Sequence, residues 1–546
     1  MVSTLVCTES FRHVDLMRCR HAISIEPLRQ KVLRPFTLHR ARGLLGLVVG
    51  LLISAAAVPS LAAGLLEPPT PLTQALQLIS SDRMLTDIRS LTAPEFNGRQ
   101  TGTPDDRASA EFVQGRFLDR HVERSPGSAS DTLHDGLPDR TWIQPTAVRS
   151  TTIGQAPILR PLFASDSPPA LIGADYLPVF DCPSADLQAP IVFVGYGISD
   201  PAGGIDEYAG MDVRNKVVLF LRGKPERYGK QVSHADKART AQARGAIGLL
   251  TATGPILNAY ETRRGITGRP SAFYGLTDPR VALPGAWIST SLASAILGVH
   301  QPEGTDRLRI FQQHINESLT PRSMAVDVTV AMRWTSTQQD GTLHNVVSIL
   351  PGQDPAHQHE IIVIGAHRDH FGRQGGLLFA GADDNASGTA VLLEVARVLA
   401  ASPTRLKRSI VLVSFSGEEQ GLLGSKFYVT QPVVPLPSTV AMINVDHAGV
   451  GNGRLTIGVT GLEKAVVQQA GQTAGLIDHI DLFGFFPGGD HVPFKEAGIP
   501  TVTIVSGGVH PHFHQPTDTV DTLNPDILSA TVRYVLALAW QLADAP

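Results

Sequence analysis

The sequence predicts an α/β fold in which a central sheet is covered by helices on both faces. From about residue 336 to the end, short β-rich apolar runs alternate with amphipathic helical stretches, which is the pattern of strand–helix units. Acidic residues and histidines directly follow several predicted strands, and active groups of such sheets gather at the carboxyl ends of the strands. A separate run of short strands in the middle of the chain predicts a small β-rich unit.

The N-terminal segment, residues 1–62, has the order of a secretory signal. It carries eight Lys/Arg and three Asp/Glu, a balance of +5, so with a total of −4 the remainder carries −9. Basic residues lead into the apolar run Gly43–Val58, and small residues follow at the expected cleavage site. The run is short for a membrane span. We therefore expect export to the periplasm or the cell exterior, with an uncleaved membrane anchor as the alternative.

Composition and cysteine usage limit the partners and the redox chemistry. The 546 residues are 42% hydrophobic and 18% charged, which is globular, and the length allows two or three domains. No strongly basic patch occurs, so we expect no nucleic acid partner. Cys7 and Cys19 lie in the leader, which leaves Cys182 alone. The processed chain can then form no intramolecular disulfide, and we expect Cys182 to be an inert, packed thiol.

The first part of the main domain is assigned to residues 63–184. Apolar residues recur at helical spacing over 66–122, with breaks, and a second helix is predicted over Ala108–His121. Residues 123–180 are rich in Ser, Pro, Gly and Asp, which indicates loops and short strands.

The β-rich unit in the middle of the chain is assigned to residues 185–330. The runs IVFVGYG, KVVLFLRG and AIGLLTAT are predicted strands, and Ser233–Arg244 is a predicted helix between the second and the third.

The last part, residues 331–546, supplies the strand–helix alternation. The predicted strands and helices of this part are Ile361–Gly365, Ala386–Ala400, Ile410–Phe415, Ala441–Val445, Thr501–Val505 and Ile527–Leu542.

Four candidate metal ligands lie at or just after these strand ends or before a helix. They are His367, Asp384, Glu419 and Asp446, in the strings IGAHRDH, GADDNASG, SFSGEEQG and INVDHAG. Imidazoles and carboxylates suit a pair of borderline cations such as zinc. Glu418 stands beside Glu419 and is free to act as a base. This combination predicts metal-assisted hydrolysis.

A fifth ligand is expected in the string HPHFHQPTDT. Position alone does not choose among His510, His512 and His514.

Two neighbouring groups have supporting roles. Asp369 follows His367 by two residues and can accept the second ring N–H of that histidine, which would fix its tautomer. The pair Asp490-His491 is either a helix-capping pair or a pair that supports the ligands, and we favour the second.

These strings together resemble the co-catalytic two-zinc exopeptidases of bacterial leucyl aminopeptidase and glutamate carboxypeptidase type, metallopeptidase family twenty-eight. The resemblance covers about 66–122 and 336–546 and implies a mixed central sheet of the zinc exopeptidase type. Residues 185–330 resemble a protease-associated domain through VFVGYGI and DEYAGMDVRNKVVLFLRG. That insert is expected to shape or cover the substrate cleft.

The resemblance also implies a role for each site residue. His367 and Asp446 would bind one zinc ion, Glu419 and His514 the other, and Asp384 would bridge the two. Asp369 would orient His367. Glu418 would be the general base and later the proton donor to the leaving amine. Two zinc ions are the implied cofactors, although cobalt or manganese suits similar ligands.

Two positions depart from the pattern of the family. His447 follows Asp446 where relatives more often carry an apolar residue such as Met, and Phe485 or Phe486 stands where relatives often have a Tyr. Without a phenol, a metal ion or another donor must stabilise the oxyanion.

The predicted function is that of an exported zinc-dependent aminopeptidase, which releases N-terminal residues from peptides by zinc-activated water with a Glu base. The alternatives are a carboxypeptidase for acidic C-termini, a glutaminyl cyclase and a non-catalytic receptor-like binding protein. Peptides are the expected partners, and a membrane is one only if the leader is retained.

Overall fold

A computed structural model describes residues 70–119, 141–163, 167–258, 261–262, 265–276, 280–298 and 306–545. The predicted leader lies outside these ranges. Within them, no helix has both the length and the hydropathy that crossing a bilayer would require.

The described helices flank the strands of two sheets. In chain order they are α1 Thr70–Gln77, α2 Ser81–Leu91, α3 Pro104–Asp119, α4 His234–Ala243, α5 Thr290–Gly298, α6 Arg307–Ser318, α7 Gly388–Ala401, α8 Leu423–Thr430, α9 Lys464–Thr473, α10 His491–Glu496 and α11 Pro525–Asp544.

The strands, in the same order, are β1 Thr141–Ile153, β2 Ile158–Leu162, β3 Tyr176–Pro178, β4 Ala185–Phe193, β5 Ser199–Asp200, β6 Ile205–Asp206, β7 Val217–Leu221, β8 Gly248–Ala252, β9 Gly285–Ile288, β10 Met324–Trp334, β11 Ser336–Leu350, β12 Ile361–His367, β13 Gly372–Gln374, β14 Leu377–Phe379, β15 Ser409–Phe415, β16 Thr439–Asp446, β17 Leu455–Thr460, β18 Ile480–Phe483 and β19 Thr501–Ser506.

The larger sheet is mixed and has the order β1-β11-β15-β12-β16-β19-β17-β18. Its centre, from β15 through β12 and β16 to β19, is parallel, whereas β11 and β17 join it antiparallel. The fold class predicted from the sequence is therefore confirmed.

Both faces of this sheet are buried, and the residues alternate between them as the pleat requires. On β12, Ile362 and Ile364 face the core formed with α2, α7 and α11, whereas Ile361 and Val363 face the smaller core that contains Tyr428 of α8 and Phe494 of α10. Helices on both faces explain why the central strands are continuous apolar runs.

The insert forms a second sheet with the order β2-β10-β4-β7-β8-β9-β3. The boundary predicted at residue 185 is too late for this sheet, because β2 and β3 precede it and pair with β10 and β9. The sequence predicted loops and short strands over residues 123–180, but it did not place these strands or assign them to the insert. Cys182 is a free, buried thiol in the insert core, as expected.

The chain enters and leaves the insert through two paired strands of the larger sheet. β1 pairs antiparallel with β11 over the whole length of β1, from Thr141 opposite Ser348 to Ile153 opposite Ser336. The sequence predicted only loops and short strands around β1, and that prediction is wrong for this strand.

Candidate metal centre

The central parallel strands carry the candidate residues at one edge of the larger sheet. His367 is the last residue of β12 and Asp446 the last of β16. Glu418 and Glu419 follow β15, and His514 lies in the loop after β19. Asp384 precedes α7, which begins at Gly388. Because these strands are parallel neighbours, their carboxyl ends bring residues that are far apart in the chain together.

One group of donor atoms surrounds Nε2 of His367. This nitrogen lies 3.3 Å from Oδ1 of Asp384 and 3.4 Å from Oδ1 of Asp446. Burial alone would lower the pKa of His367, but the carboxylates of Asp369, Asp384 and Asp446 outweigh it and hold that pKa well above its usual range.

A second group lies on the other side of Asp384. Nε2 of His514 lies 3.0 Å from Oδ2 of Asp384 and 3.4 Å from Oε2 of Glu419. Asp384 thus offers one carboxylate oxygen to each group, which is the arrangement of a ligand shared by two ions.

The donor atoms fit a metal such as zinc. Two ligand atoms at 2.0–2.1 Å from a tetrahedral ion are separated by about 3.3 Å, close to the 3.3 and 3.4 Å between His367 and its two carboxylates. Oδ1 of Asp446 is buried and has no hydrogen-bond partner among the residues that the structure describes. A buried carboxylate oxygen without a partner is costly, and a cation would satisfy it.

Asp369 contacts the Nδ1 side of the His367 ring, opposite the nitrogen that faces the other donors. Nδ1 of His367 lies 3.2 Å from the main-chain carbonyl oxygen of Asp369 and 3.6 Å from its Oδ1. The Asp369 carboxylate is itself fixed, because it accepts hydrogen bonds from Oγ1 of Thr101 at 2.9 Å and from the backbone N–H of Glu418 at 3.2 Å. The ring of His367 is thereby oriented with Nε2 toward the other donors.

Glu418 lies beside the ligand groups and lines a cavity of about 160 Å³ together with Asp446. Burial raises the pKa of Glu418 to about 8, and nearby Asp446 and Asp490 raise it further while His367 opposes the shift. Four phenylalanines line the same cavity: Phe483, Phe485, Phe486 and Phe513.

The structure separates the three histidines of the loop after β19. His514 reaches the ligand groups, as described. His510 instead places Nδ1 2.7 Å from Oδ2 of Asp383, and half-buried His512 contacts Oγ1 of Thr517 at 2.9 Å.

Asp490 is buried at the start of α10, and its side chain makes no capping hydrogen bond to that helix. Burial raises the pKa of Asp490 to about 7. His491 places Nε2 2.9 Å from the main-chain oxygen of Phe486, on the cavity wall. This geometry favours a supporting role over a capping role.

Sequence reasoning missed His370. Its Nδ1 lies 2.7 Å from Oε1 of Glu419, and the three side chains of His370, Asp384 and Glu419 could also hold an ion. The available signal was the second histidine of the string HRDH, three residues after His367.

Sequence reasoning also missed a neighbouring cluster formed by Asp383, His447 and His510. Oδ2 of Asp383 lies 3.3 Å from Nδ1 of His447 and 2.7 Å from Nδ1 of His510, while Oδ1 accepts the backbone N–H groups of Gly449 and Val450. His447 is one of the two positions that depart from the family pattern, and its Nε2 lies 3.6 Å from Oδ2 of Asp384.

Two buried arginines hold the loops that present the ligands. Arg99 donates to the carbonyl oxygens of Leu91, Arg368, Ala380 and Gly381 at 2.5–2.9 Å. Arg368, between His367 and Asp369, donates to Asp106 on α3 at 2.6 Å. The sequence pattern singled out neither arginine.

Two sequence models of known families match parts of this chain. The sequence model of Peptidase family M28 matches residues 345–539, and that of the PA domain matches residues 187–296.

Two curated relatives match over part of their length. The chain is 26% identical over 341 residues to Aminopeptidase YwaD of Bacillus subtilis, covering 60% of this chain and 63% of the relative. It is 27% identical over 373 residues to the probable glutamate carboxypeptidase VP8 of Zea mays, covering 62% of this chain and 50% of the relative. The matches thus span between half and two thirds of these relatives.

Among solved structures, BSAP, a zinc aminopeptidase from Bacillus subtilis, superposes with a TM-score of 0.57 at 19% identity, over 85% of this chain and 97% of that one. At this identity the likeness concerns the fold. The M28 model over residues 345–539 and the PA-domain model over residues 187–296 support a metallopeptidase of the M28 type with an inserted PA domain, and the shared fold agrees with them.

Proposed function

We propose that the chain is an exported zinc aminopeptidase that removes N-terminal residues from peptides. One observation carries the proposal: two groups of ligand atoms share Asp384, and Glu418 lies beside them on the wall of an apolar cavity.

The residues assigned to the metals are those of the two groups. His367 and Asp446 would hold one ion, His514 and Glu419 the other, and Asp384 both. When bound, the two ions would supply Lewis acidity for the peptide carbonyl and for the attacking water. His370, hydrogen-bonded to Glu419, is assigned to orienting that carboxylate rather than to binding an ion.

Glu418 is assigned to proton transfer. It would take a proton from the attacking water and pass it to the leaving amine. A raised pKa, close to neutral, suits a carboxyl that both accepts and returns a proton. The backbone N–H of Glu418 donates to Asp369, so the base is anchored to the residue that orients His367.

The cavity beside Glu418 favours an aminopeptidase over a carboxypeptidase. Its aromatic wall suits an apolar side chain, and the carboxylates of Glu418 and Asp446 suit a free ammonium group. A carboxypeptidase for acidic C-termini would need a cationic residue there, and no Lys or Arg is among the described residues that line the cavity.

A non-catalytic binding role is disfavoured because the donor atoms for two ions and the base are all present. Relatives named aminopeptidase and titled zinc aminopeptidase support the assignment. We assign the insert the additional role of shaping the cleft.

The test is hydrolysis of aminoacyl-anilides by the purified full-length chain, with Leu, Phe, Ala, Glu and Lys as the N-terminal residue. We expect Leu and Phe substrates to be cleaved fastest, a chelator to abolish turnover, and zinc to restore it. N-acetylated Leu-anilide is the matched control and should not be cleaved. Cleavage only of N-blocked peptides with a free C-terminus would favour the carboxypeptidase.

Export is the separate part of the proposal and rests on the N-terminal segment. Expression with its own leader should deliver the protein outside the cytoplasm, with a mature N-terminus near residue 63. Recovery only in the cytoplasm with the leader intact would contradict export, whereas recovery in the membrane would indicate a retained anchor.

A further inference from the structure

One loop of the insert, residues 265–276, packs directly against the segment that carries His514. The backbone N–H of Ala272 donates to the carbonyl oxygen of His514 at 3.0 Å. Buried Gln515 donates through Nε2 to the carbonyl oxygen of Pro270 at 2.7 Å. The insert therefore contacts the chain at the candidate ligand itself, not only at the rim of the cleft.

The carbonyl oxygen of Ala272 determines which nitrogen of His514 carries the proton. Nδ1 of His514 lies 2.8 Å from this oxygen. A carbonyl oxygen can only accept, so Nδ1 must be the N–H, and in the neutral imidazole that metal binding requires, Nε2 then carries the lone pair. Nε2 is the nitrogen that faces Asp384 and Glu419. The insert thus selects the tautomer that can bind a metal.

Ring packing fixes the orientation of the same imidazole. His514 stacks on Phe513 at 3.7 Å between ring centroids and meets Phe371 edge-on at 4.8 Å. Phe371 packs in turn against Tyr274 of the insert loop at 5.6 Å. The insert therefore supports the ring both through a hydrogen bond and through an aromatic contact.

The close approach of the two segments depends on a glycine. Gly265 has a φ of +69°, and a Cβ there would lie 2.2 Å from the carbonyl oxygen of His510. Any larger residue at position 265 would have to push the loop away from the segment that carries His514. A mutation in the insert can therefore weaken this contact.

We propose that the inserted domain sets the affinity of the active site for metal, with the carbonyl group of Ala272 as the positioning group for His514. The proposal rests on the proposed function, because His514 must be a ligand. Since coupling between two binding events is reciprocal, bound metal must also stabilise the docked loop.

Metal affinity is the first measurement. Zinc is titrated into metal-free, full-length protein against a chromophoric chelator, for the wild type, Gln515→Leu and Gly265→Ala. We expect both variants to bind two ions, but the affinity for one of the ions should fall by about 10-fold or more. Losses of this size follow when a group that hydrogen-bonds to a metal ligand is removed. The control is Gln242→Ala, because among the described residues the Gln242 amide bonds only to the insert's own backbone, at Arg280 and Ala282.

Wild-type affinity for both ions in Gln515→Leu and in Gly265→Ala would overturn the proposal. Circular dichroism of each variant establishes that it is folded before the titration is interpreted.

Hydrogen exchange is the reciprocal measurement and does not depend on activity. In the wild type, zinc should slow the exchange of the backbone amides of residues 265–276, and this effect should disappear in His514→Ala. Equal exchange of these amides with and without zinc in the wild type would overturn the coupling.

The two failures are distinguishable. If His514→Ala still binds two ions with wild-type affinity, the ligand assignment of the proposed function is wrong. If His514→Ala loses an ion while Gln515→Leu and Gly265→Ala bind zinc as the wild type does, only the role of the insert is refuted.

Discussion

Asp384 is the residue on which both ligand groups depend. Its Oδ1 faces Nε2 of His367, and its Oδ2 faces Nε2 of His514, at 3.3 and 3.0 Å. Its backbone N–H is fixed by a hydrogen bond to Asp518 at 3.0 Å. The carboxylate therefore has one position from which both histidines can be reached.

Replacing Asp384 should remove metal as well as activity. Asp384→Ala deletes the two carboxylate oxygens that the two groups share. We therefore expect fewer than two bound ions per chain. We also expect no turnover, even when zinc is added up to the concentration at which the protein precipitates. Metal analysis after gel filtration checks this. Two ions retained with wild-type affinity would contradict the bridging assignment.

Glu418 should be separable from metal binding. Glu418→Gln keeps the shape of the side chain but removes the proton acceptor, so we expect two bound ions and a loss of kcat of about 10²–10⁴. Exposed Glu496, changed to Gln, is the matched control and should leave kcat unchanged. Retained turnover in Glu418→Gln would exclude this residue as the base.

At the scale of elements, α3 holds the ends of two central strands through one carboxylate. Oδ1 of Asp106 accepts hydrogen bonds from Arg368, after β12, and from Oγ of Ser416, after β15, both at 2.6 Å. Oδ2 of Asp106 lies 2.9 Å from Nδ1 of His344. Both Asp106 and Arg368 are fully buried.

This contact should be expensive to break. Asp106→Ala leaves the Arg368 guanidinium buried without its carboxylate, and such a loss typically costs about 3–5 kcal/mol in free energy of unfolding. Arg107→Ala removes an exposed ion pair with Glu111 and should cost less than about 1 kcal/mol. Urea unfolding measures both. A cost below about 1 kcal/mol for Asp106→Ala would show that the pair does not join the elements.

The elements that could be predicted from the sequence are those whose residues are buried on both faces of the sheet. β12, β15, β16 and β19 are buried along almost their whole length, so they are largely apolar runs. Three of them end at a polar residue, and β15 ends at Phe415. β1 is partly exposed over most of its length and contains Pro145 and charged Arg149. Its pairing with β11 spans the whole insert, and no local pattern reports a partner so distant in sequence.

The candidate residues show the same division. His367, Glu419 and Asp446 follow strands that the apolar pattern predicts, so their convergence followed from the fold class. The contact of His370 with Glu419 depends on how the chain turns after β12, and the contact of His514 with Ala272 depends on docking of the insert. Loop conformation and domain docking are set by tertiary packing, which periodicity does not encode.

At the scale of the whole molecule, we expect the insert to have its own response to acid. His234 on α4 packs between Phe220 and Phe273, with Nδ1 3.1 Å from the carbonyl oxygen of Gly275, and its buried Nε2 has no hydrogen-bond partner among the described residues. Burial lowers the pKa of His234 to about 4, with Lys237 and Arg222 adding to the shift.

The sign of the effect follows from the lowered pKa. The unfolded chain takes up a proton at about pH 6.5, before the folded chain does, so this contribution to stability is complete above pH 6.5 and is lost as the pH falls toward 4. It amounts to at most about 3 kcal/mol.

We therefore expect His234→Gln to show a smaller fall in unfolding free energy between pH 6.5 and 4 than the wild type. The measurement is chemical unfolding with a chelator present, so that metal release does not contribute. Exposed His359, changed to Gln, is the control and should keep the wild-type slope. An unchanged slope in His234→Gln would exclude His234 as the acid-sensitive group.

The pairing of β1 with β11 has a consequence for how the molecule could have been assembled. Ile153 and Ser336, where the chain leaves and rejoins the larger sheet, are cross-strand neighbours. Residues 154–335 therefore connect β1 to β11 in the same way as the loop of a β-hairpin. The entropic cost of closing a loop grows only slowly with its length. A short turn could close the same hairpin, so a whole domain can be gained or lost here without any change in strand order.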